Sequence, residues 1–379
     1  MTELVRMTVN DYDELIGLMD AVFGRKNGYD MHFEEELPKM CHRDDLRMNR
    51  HFGIREDGRL VAALGVYPLP TVIAGEKLLF STMGNVATHW DFTGKGYMTR
   101  LIARAQQELD EIGADASRLG GKRERYHRYG FEQCGTGYSI RLEAHNKLPA
   151  DGSGISFEKI DRADSTSILL AKKWNDANPM YVERPDCEAA WESMTAWRNI
   201  PYMAYRGGRP IGYVCANAAQ NALAEINAES DEARLSMLAA WQKRVNVAIS
   251  FPLMPQDKGI LGPITNVCEH YSVSSPSMFY IRNFAGVTNA LMKLQAGLCD
   301  MPEGEWVLGI ENYGSVCLFV KGGVAGAEKT NAAPDLTLPA AAASRLLYGP
   351  LPPYIICAVP AFVRAWLPLP LSWNSQDRV

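Results

Sequence analysis

The sequence predicts an α+β (mixed α/β) protein of three consecutive units, 1–148, 149–275 and 276–379, and three observations carry that reading. First, a meander of strands runs into a tight basic glycine turn, Thr93-Gly94-Lys95-Gly96-Tyr97-Met98, at the start of an amphipathic helix. Second, the hairpin pattern of residues 52–64 returns at 202–214, after a polar Gly/Pro linker over 146–154. Third, a new succession of helix, strands and helix begins near Ser277.

In the first unit Asn10 is placed to cap a helix, with Asp13 three residues on and Leu15, Leu18, Met19, Val22 and Phe23 recurring on one face. That helix is expected to end near Gly24. The polar segment 25–37 carries Asp30 and the run Glu34-Glu35-Glu36, which reads either as a solvated face or as an attraction for a cationic substrate. Strands follow over 51–56, 60–73 and 77–89, joined by turns at Asp57-Gly58 and Gly75-Glu76. After the glycine turn, Met98, Leu101, Ile102, Ala105, Leu109 and Ile112 keep helical spacing, and Gly113 closes the helix. A weak strand at 115–119 leads into Arg125-Tyr126-His127-Arg128-Tyr129-Gly130-Phe131-Glu132.

The glycine turn carries the chemistry. A helix start leaves backbone N–H groups unpaired, and with the helix dipole and the Lys95 ammonium these make a site for a phosphate or pyrophosphate. Neither G-x-x-x-x-G-K-[ST] nor a G-x-G-x-x-G opening a βαβ unit is present, and a glycine turn before a helix is also plain topology. The stretch 86–98, VATHWDFTGKGYM, resembles the pyrophosphate loop of the GCN5-related N-acetyltransferases (GNAT), with Thr93 where that family carries Arg or Gln and Met98 where its last small residue lies. Downstream, the Y-x-x-x-G-F spacing of Tyr126, Gly130 and Phe131 resembles the family's late motif, in the right order and at about the right distance.

The resemblance implies acetyl-CoA as co-substrate, held by Val86, Ala87, Thr88, Thr93, Gly94, Lys95, Gly96, Tyr97 and Met98, and Tyr126 as the general acid facing the coenzyme sulfur. A core tyrosine with a satisfied hydroxyl is the plainer reading of Tyr126. His89 and His127 flank the motifs and are further acid–base candidates. Backbone N–H groups near Val86 and Ala87 are placed to hold the thioester oxygen. The attacking nucleophile is the substrate amine, so no Ser-His-Asp or Cys-His constellation is required.

In the second unit the strand at 223–228 runs straight into Glu229-Ser230-Asp231 and a helix with Leu235, Leu238 and Trp241 inward. With no glycine loop this copy is expected not to bind coenzyme A, and to serve as structure or as a wall of the acceptor pocket. The third unit places a helix through Val287, Leu291 and Leu294, strands at 305–310, 315–321 and 335–338, and a helix over 340–348 closed by Gly349. It resembles the sterol-carrier-protein-2-like fold, and the three parts in this order resemble the enhanced-intracellular-survival (Eis) type of acetyltransferase. In that family the terminal carboxylate lies in the active site and serves as base, which implies that role for Val379; a terminus packed for stability alone is the other reading.

Composition bounds the rest. Hydrophobic residues at 47% and charged residues at 22% are ordinary for globular chains, and a net charge of −5 gives no electrostatic case for nucleic acid. The eight cysteines are scattered without a C-x-x-C pair, which reads as free thiols in a reducing compartment and no metal centre. The polar N-terminus and the absence of a long apolar run point to a soluble cytoplasmic protein. The expected activity is direct acetyl transfer to a small-molecule or peptide amine. The alternative is a non-catalytic protein whose third unit binds an apolar ligand. The resembled family forms closed assemblies, which leaves a homo-oligomer open.

Overall fold

The computed structural model describes residues 1–377. In the first unit β1 (Thr2–Arg6) leads to a capping box in which Thr8 donates its N–H and its hydroxyl to the Asp11 carboxylate at 2.8 and 3.0 Å. Thr8, rather than Asn10, thus starts the helical segment. Helix α1 (Tyr12–Asn27) passes through Gly24 and stops at Gly28, whose φ of 78° supplies the left-handed cap. An interior glycine costs a helix only about 1 kcal/mol, too little to end it where Leu15, Leu18 and Met19 are buried. Short helices α2 (Phe33–Glu36) and α3 (Asp45–Met48) precede the meander β2 (His51–Glu56), β3 (Arg59–Ile73) and β4 (Glu76–Thr88). Its turns are Asp57-Gly58 and Ala74-Gly75, all four residues at positive φ, so the second lies one residue before the expected place. Helix α4 (Tyr97–Glu111) then crosses over to β5 (Ala116–Leu119), parallel to β4, and α5 (Arg123–Tyr126), β6 (Glu132–Cys134) and β7 (Gly137–Leu142) follow.

The middle of the chain comprises β8 (Ile155–Lys159), α6 (Ser165–Asp176), β9 (Met180–Val182), α7 (Cys187–Thr195), β10 (Ile200–Arg206), β11 (Arg209–Ala216), β12 (Leu223–Ala228), α8 (Asp231–Val245), β13 (Ile249–Leu253), α9 (Lys258–Thr265) and β14 (His270–Ser274). The repeat read from the sequence is visible in detail. The β2–β3 hairpin shifts register between Ile54 and Arg55, and the β10–β11 hairpin between Ala204 and Tyr205, the same place in the two patterns. The last third holds β15 (Ser277–Ile281), α10 (Phe284–Leu298), the strands β16 (Gly304–Ile310), β17 (Gly314–Lys321), β18 (Val324–Thr330) and β19 (Leu336–Leu338), and helices α11 (Ala340–Tyr348), α12 (Pro353–Ile356) and α13 (Ala361–Trp366). Residues 367–377 end the described chain.

Two strands sit away from their sequence neighbours. β15 lies between β5 and β6, completing the sheet β1-β2-β3-β4-β5-β15-β6, to which β9 adds on β3. β7, next to β6 in sequence, lies instead between β13 and β14. The cuts expected at 148/149 and 275/276 are therefore crossed by strand pairing in both directions, and one apolar core joins Phe80 of β4 to Phe279 of β15, Leu291 of α10 and Trp373. All eight cysteines are free thiols. Among the described residues no helix is long and apolar enough to cross a membrane.

Candidate functional site

The geometry of the site begins with a defect in β4. Ala87 pairs with Ala63 and Gly84 with Gly65, so Asn85 and Val86 oppose the single residue Leu64. Asn85 takes a φ of 55°, which places a bulge beside Val86. On the other edge the parallel pairing with β5 stops at Met83–Leu119. From Gly84 to Thr88, β4 has β3 on one side and, among the described residues, no strand on the other, which leaves main-chain polar groups open along that edge.

The turn lies just beyond. Gly94 and Gly96 have φ of 80° and 76°, conformations that cost an L-residue roughly 1–2 kcal/mol, and a Cβ added at either would meet nothing within 4 Å. Gly96 is the N-cap of α4 and offers no side-chain acceptor, so the first N–H groups of the helix have no partner among the described residues. The copy behaves differently. α8 starts at the same point of the repeat, but Ser230 accepts from the Ala233 N–H at 3.2 Å. One helix start is closed by its own sequence and the other is open to an anion.

Lys95 does not stand free in that site. Its ammonium pairs with Glu56 at 2.7 Å, which also accepts from the Tyr97 hydroxyl, and it lies 4.8 Å from the centre of the Phe92 ring. The Glu56 hydrogen bond raises the Lys95 pKa and, with Tyr97, Glu56 is held below the usual carboxylate range by Lys95. The positive contribution expected from Lys95 is largely offset, and the backbone donors carry the anion site. Thr93 bonds within its own turn, to the Trp90 carbonyl at 3.0 Å. Val86 and Met98 pack against the cluster that buries Tyr97, Leu101 and Tyr126, so these predicted residues do meet. Ala87 is buried on the opposite side, with Leu60 and Tyr67, and Thr88 pairs with Ala62.

Tyr126 ends α5 with its ring on Gly121, where a Cβ would come within 2.9 Å of Cε2. No group among the described residues hydrogen-bonds its hydroxyl, and burial raises its pKa above the usual value near 10. The two histidines are otherwise engaged. His89 stacks on Trp90 at 3.9 Å and meets Arg59 at 3.1 Å, while His127 is exposed and turns Nδ1 to the Arg123 carbonyl. Val379 lies outside the described residues.

Sequence reasoning missed the other side of β4. Asn85 donates to the Tyr67 hydroxyl at 2.9 Å, and Tyr67 meets His51 at 2.7 Å. Burial pushes His51 down to about 4. Tyr67 also lines a cleft of about 660 Å³ between the first and middle thirds of the chain, with Met40, Arg50, Arg184 and Asp377 on its walls. The chain end is fastened beside it: Gln376 donates to the carbonyls of Ser193 and Met194 at 2.9 and 3.0 Å. On the cleft's rim His42, Glu188 and Glu192 bring ligand atoms within 4.8 Å of one another. His42 bonds Glu192 and Arg162 pairs with Glu188, so each carboxylate already has a protein partner.

A parallel strand pair that parts beside a glycine turn, with a helix start left open, makes an α/β site open to an anion. Residues 3–134 match a family described as "Acetyltransferase (GNAT) domain". Similar solved structures extend over the whole chain. A GCN5-related N-acetyltransferase from Kribbella flavida is 16% identical, with TM-score 0.66 and coverage of 100% of this chain and 98% of the other. One from Anabaena variabilis is 13% identical, with TM-score 0.69 and coverage of 99% and 98%. Eis1 from Mycobacterium abscessus is 14% identical, with TM-score 0.68 and coverage of 100% of both chains. At these identities the likeness is one of fold. No curated protein matches the sequence.

Proposed function

We propose that the protein is an N-acetyltransferase that moves the acetyl group of acetyl-CoA directly to the amine of an acceptor. The observation that carries this is the open start of α4: two left-handed glycines, unpartnered N–H groups and free space beside them, next to the unpaired edge of β4. The pyrophosphate fits those donors, and the pantetheine arm fits along residues 84–88, where main-chain groups seek partners. The neutral amine attacks the thioester carbonyl, forming C–N and breaking C–S. Backbone N–H groups near Val86 bind the developing oxyanion, and the thiolate takes its proton from Tyr126, whose raised pKa keeps it protonated at neutral pH.

The Eis-like assignment supplies the remaining parts as proposals: a sterol-carrier-protein-2-like third unit, a closed homo-oligomer, a cytoplasmic setting, and the Val379 carboxylate as the base that takes the amine proton. Calorimetry with acetyl-CoA is the direct test. Binding in the micromolar range is expected, and Gly96→Trp, which fills the open turn, should weaken it at least about tenfold; no binding, or no effect of the substitution, rejects the reading. For the base, removing residues 378 and 379 should lower turnover while leaving the acetyl-CoA affinity in place. Unchanged turnover removes that role.

A further inference from the structure

The cleft between the first and middle thirds of the chain is the large concavity next to the β4 bulge, reached through Tyr67 and Asn85. Its volume of about 660 Å³ is in the usual range for a small-molecule site. Five cationic side chains line it, and their partners sort them into two groups. Lys172 is paired with Asp176, Arg47 with Asp44, and Arg184 with Glu225 and Asp377. The other two form no ion pair among the described residues, although Asp377 and Glu192 act on Lys39 from nearby and Asp44 on Arg50. Lys39 donates to the Gln376 carbonyl at 2.8 Å and forms no ion pair among the described residues. The Arg50 guanidinium forms neither hydrogen bond nor ion pair among them.

Burial lowers Lys39 to about 8 and lowers Arg50 from its usual value, and the carboxylates of Asp377 and Glu192 at Lys39, and of Asp44 at Arg50, only partly oppose it. Arg184 adds a third opening, because its Nη1 is buried at the cleft wall with no hydrogen-bond partner. Lys39 and Arg50 are half-buried, while the Arg184 donor is buried outright, and a buried donor is costly unless something satisfies it. The acids of the cleft are mostly engaged, Asp176, Asp377 and Glu192 in pairs and Asp186 as the cap of α7, which leaves Glu183 on the middle wall. The acidic run that would favour a polycation is engaged too, since Glu34 accepts from Tyr12 and Glu35 and Glu36 pair with Arg198.

We propose that the acceptor occupies this cleft and carries an anionic group, a carboxylate or a phosphate, beside its amine, with Lys39 and Arg50 holding the anion. This rests on the acetyltransferase reading above. Glu183 faces the opposite need and favours the ammonium form as it arrives. An acceptor with cationic groups alone would set like charges against Lys39 and Arg50.

Thiol release from acetyl-CoA is measured with acceptor pairs that differ only in the anion: amino acids against their decarboxylated amines, and O-phosphoethanolamine against ethanolamine. The anionic member of at least one pair should be favoured in kcat/KM by about ten- to hundredfold, the worth of a charge-assisted contact. The responding pair tells carboxylate from phosphate. Arg50→Gln and Lys39→Gln, checked for wild-type melting temperature and acetyl-CoA affinity, should each bring the ratio toward one. Arg43→Gln, the same charge change on an exposed side chain paired with Asp13, should leave it alone. A preference for the decarboxylated members, or a ratio that neither cleft variant alters, overturns the proposal while leaving acetyl transfer standing. If no amine releases thiol, acetyl transfer is what fails, and calorimetry of the full chain with N-acetylglycine and with inorganic phosphate then decides: binding lost in Arg50→Gln supports the anion site, and no binding to either rejects it.

Discussion

Tyr126 and His51 show opposite uses of burial. For the phenol, burial raises the pKa and keeps the proton on oxygen, where a leaving thiolate can take it. For the imidazole it favours the neutral ring, which closes an uncharged chain of hydrogen bonds from Asn85 through Tyr67 to the Met48 carbonyl at 3.3 Å. Tyr126 has nothing but its hydroxyl to lose. Tyr126→Phe should therefore lower kcat by about a hundredfold and leave acetyl-CoA affinity within about twofold, as for a lost general acid; unchanged turnover would return Tyr126 to the core. The motif spacing singled out Tyr126 because Gly130 and Phe131 lie only four and five residues on. The chain through His51 was not legible, since it joins positions 16 and 18 apart across strands and leaves no local pattern.

At the level of elements, the contrast between α4 and α8 could be read in advance. The glycine turn at Gly96 and its absence from the second copy were read from the sequence, and the structure adds that Ser230 caps the start of α8. Strand pairing was different. β7 and β15 were not read as strands, and nothing in their own residues states which sheet edge they join; that depends on the edges left by β5, β6, β13 and β14. β15 is thus a tie between the third unit and the sheet of the first unit. Phe279, fully buried beside Trp373 with ring centres 6.4 Å apart, is its anchor. Phe279→Ala should cost about 3–5 kcal/mol in denaturant unfolding, and near-UV signals should be lost in one transition. A cost below about 1 kcal/mol would mean that β15 does not hold that place.

The whole molecule is fastened by its last described residues. The end of the chain is apolar and proline-rich, as in Leu367-Pro368-Leu369-Pro370-Leu371, but its destination is not written there, because that depends on a polar contact among three distant segments. Arg184, after β9, is buried between Glu225 of β12 and Asp377, at 2.9 and 3.2 Å. Burial, with Asp377 adding to it, raises the pKa of Glu225, and Arg184 opposes that rise. The two partners of Arg184 are therefore unequal in what their loss leaves behind. Arg184→Gln strands two carboxylates together out of water and should cost about 3–5 kcal/mol at pH 7. Asp377→Asn leaves the neutral pair Arg184–Glu225 and an amide oxygen still able to accept, and should cost less than half as much. The pH dependence has a definite sign. With Arg184 gone, nothing opposes the rise of the Glu225 pKa above its unfolded value, so the folded form binds more protons. The Arg184→Gln deficit should then shrink as pH falls from 7 toward 5 and grow as it rises. Urea unfolding of the two variants at both pH values is the measurement; equal losses, or a deficit for Arg184→Gln that is flat in pH, would show that the chain end is held by Gln376 and Trp373 and that the buried charges play no part in it.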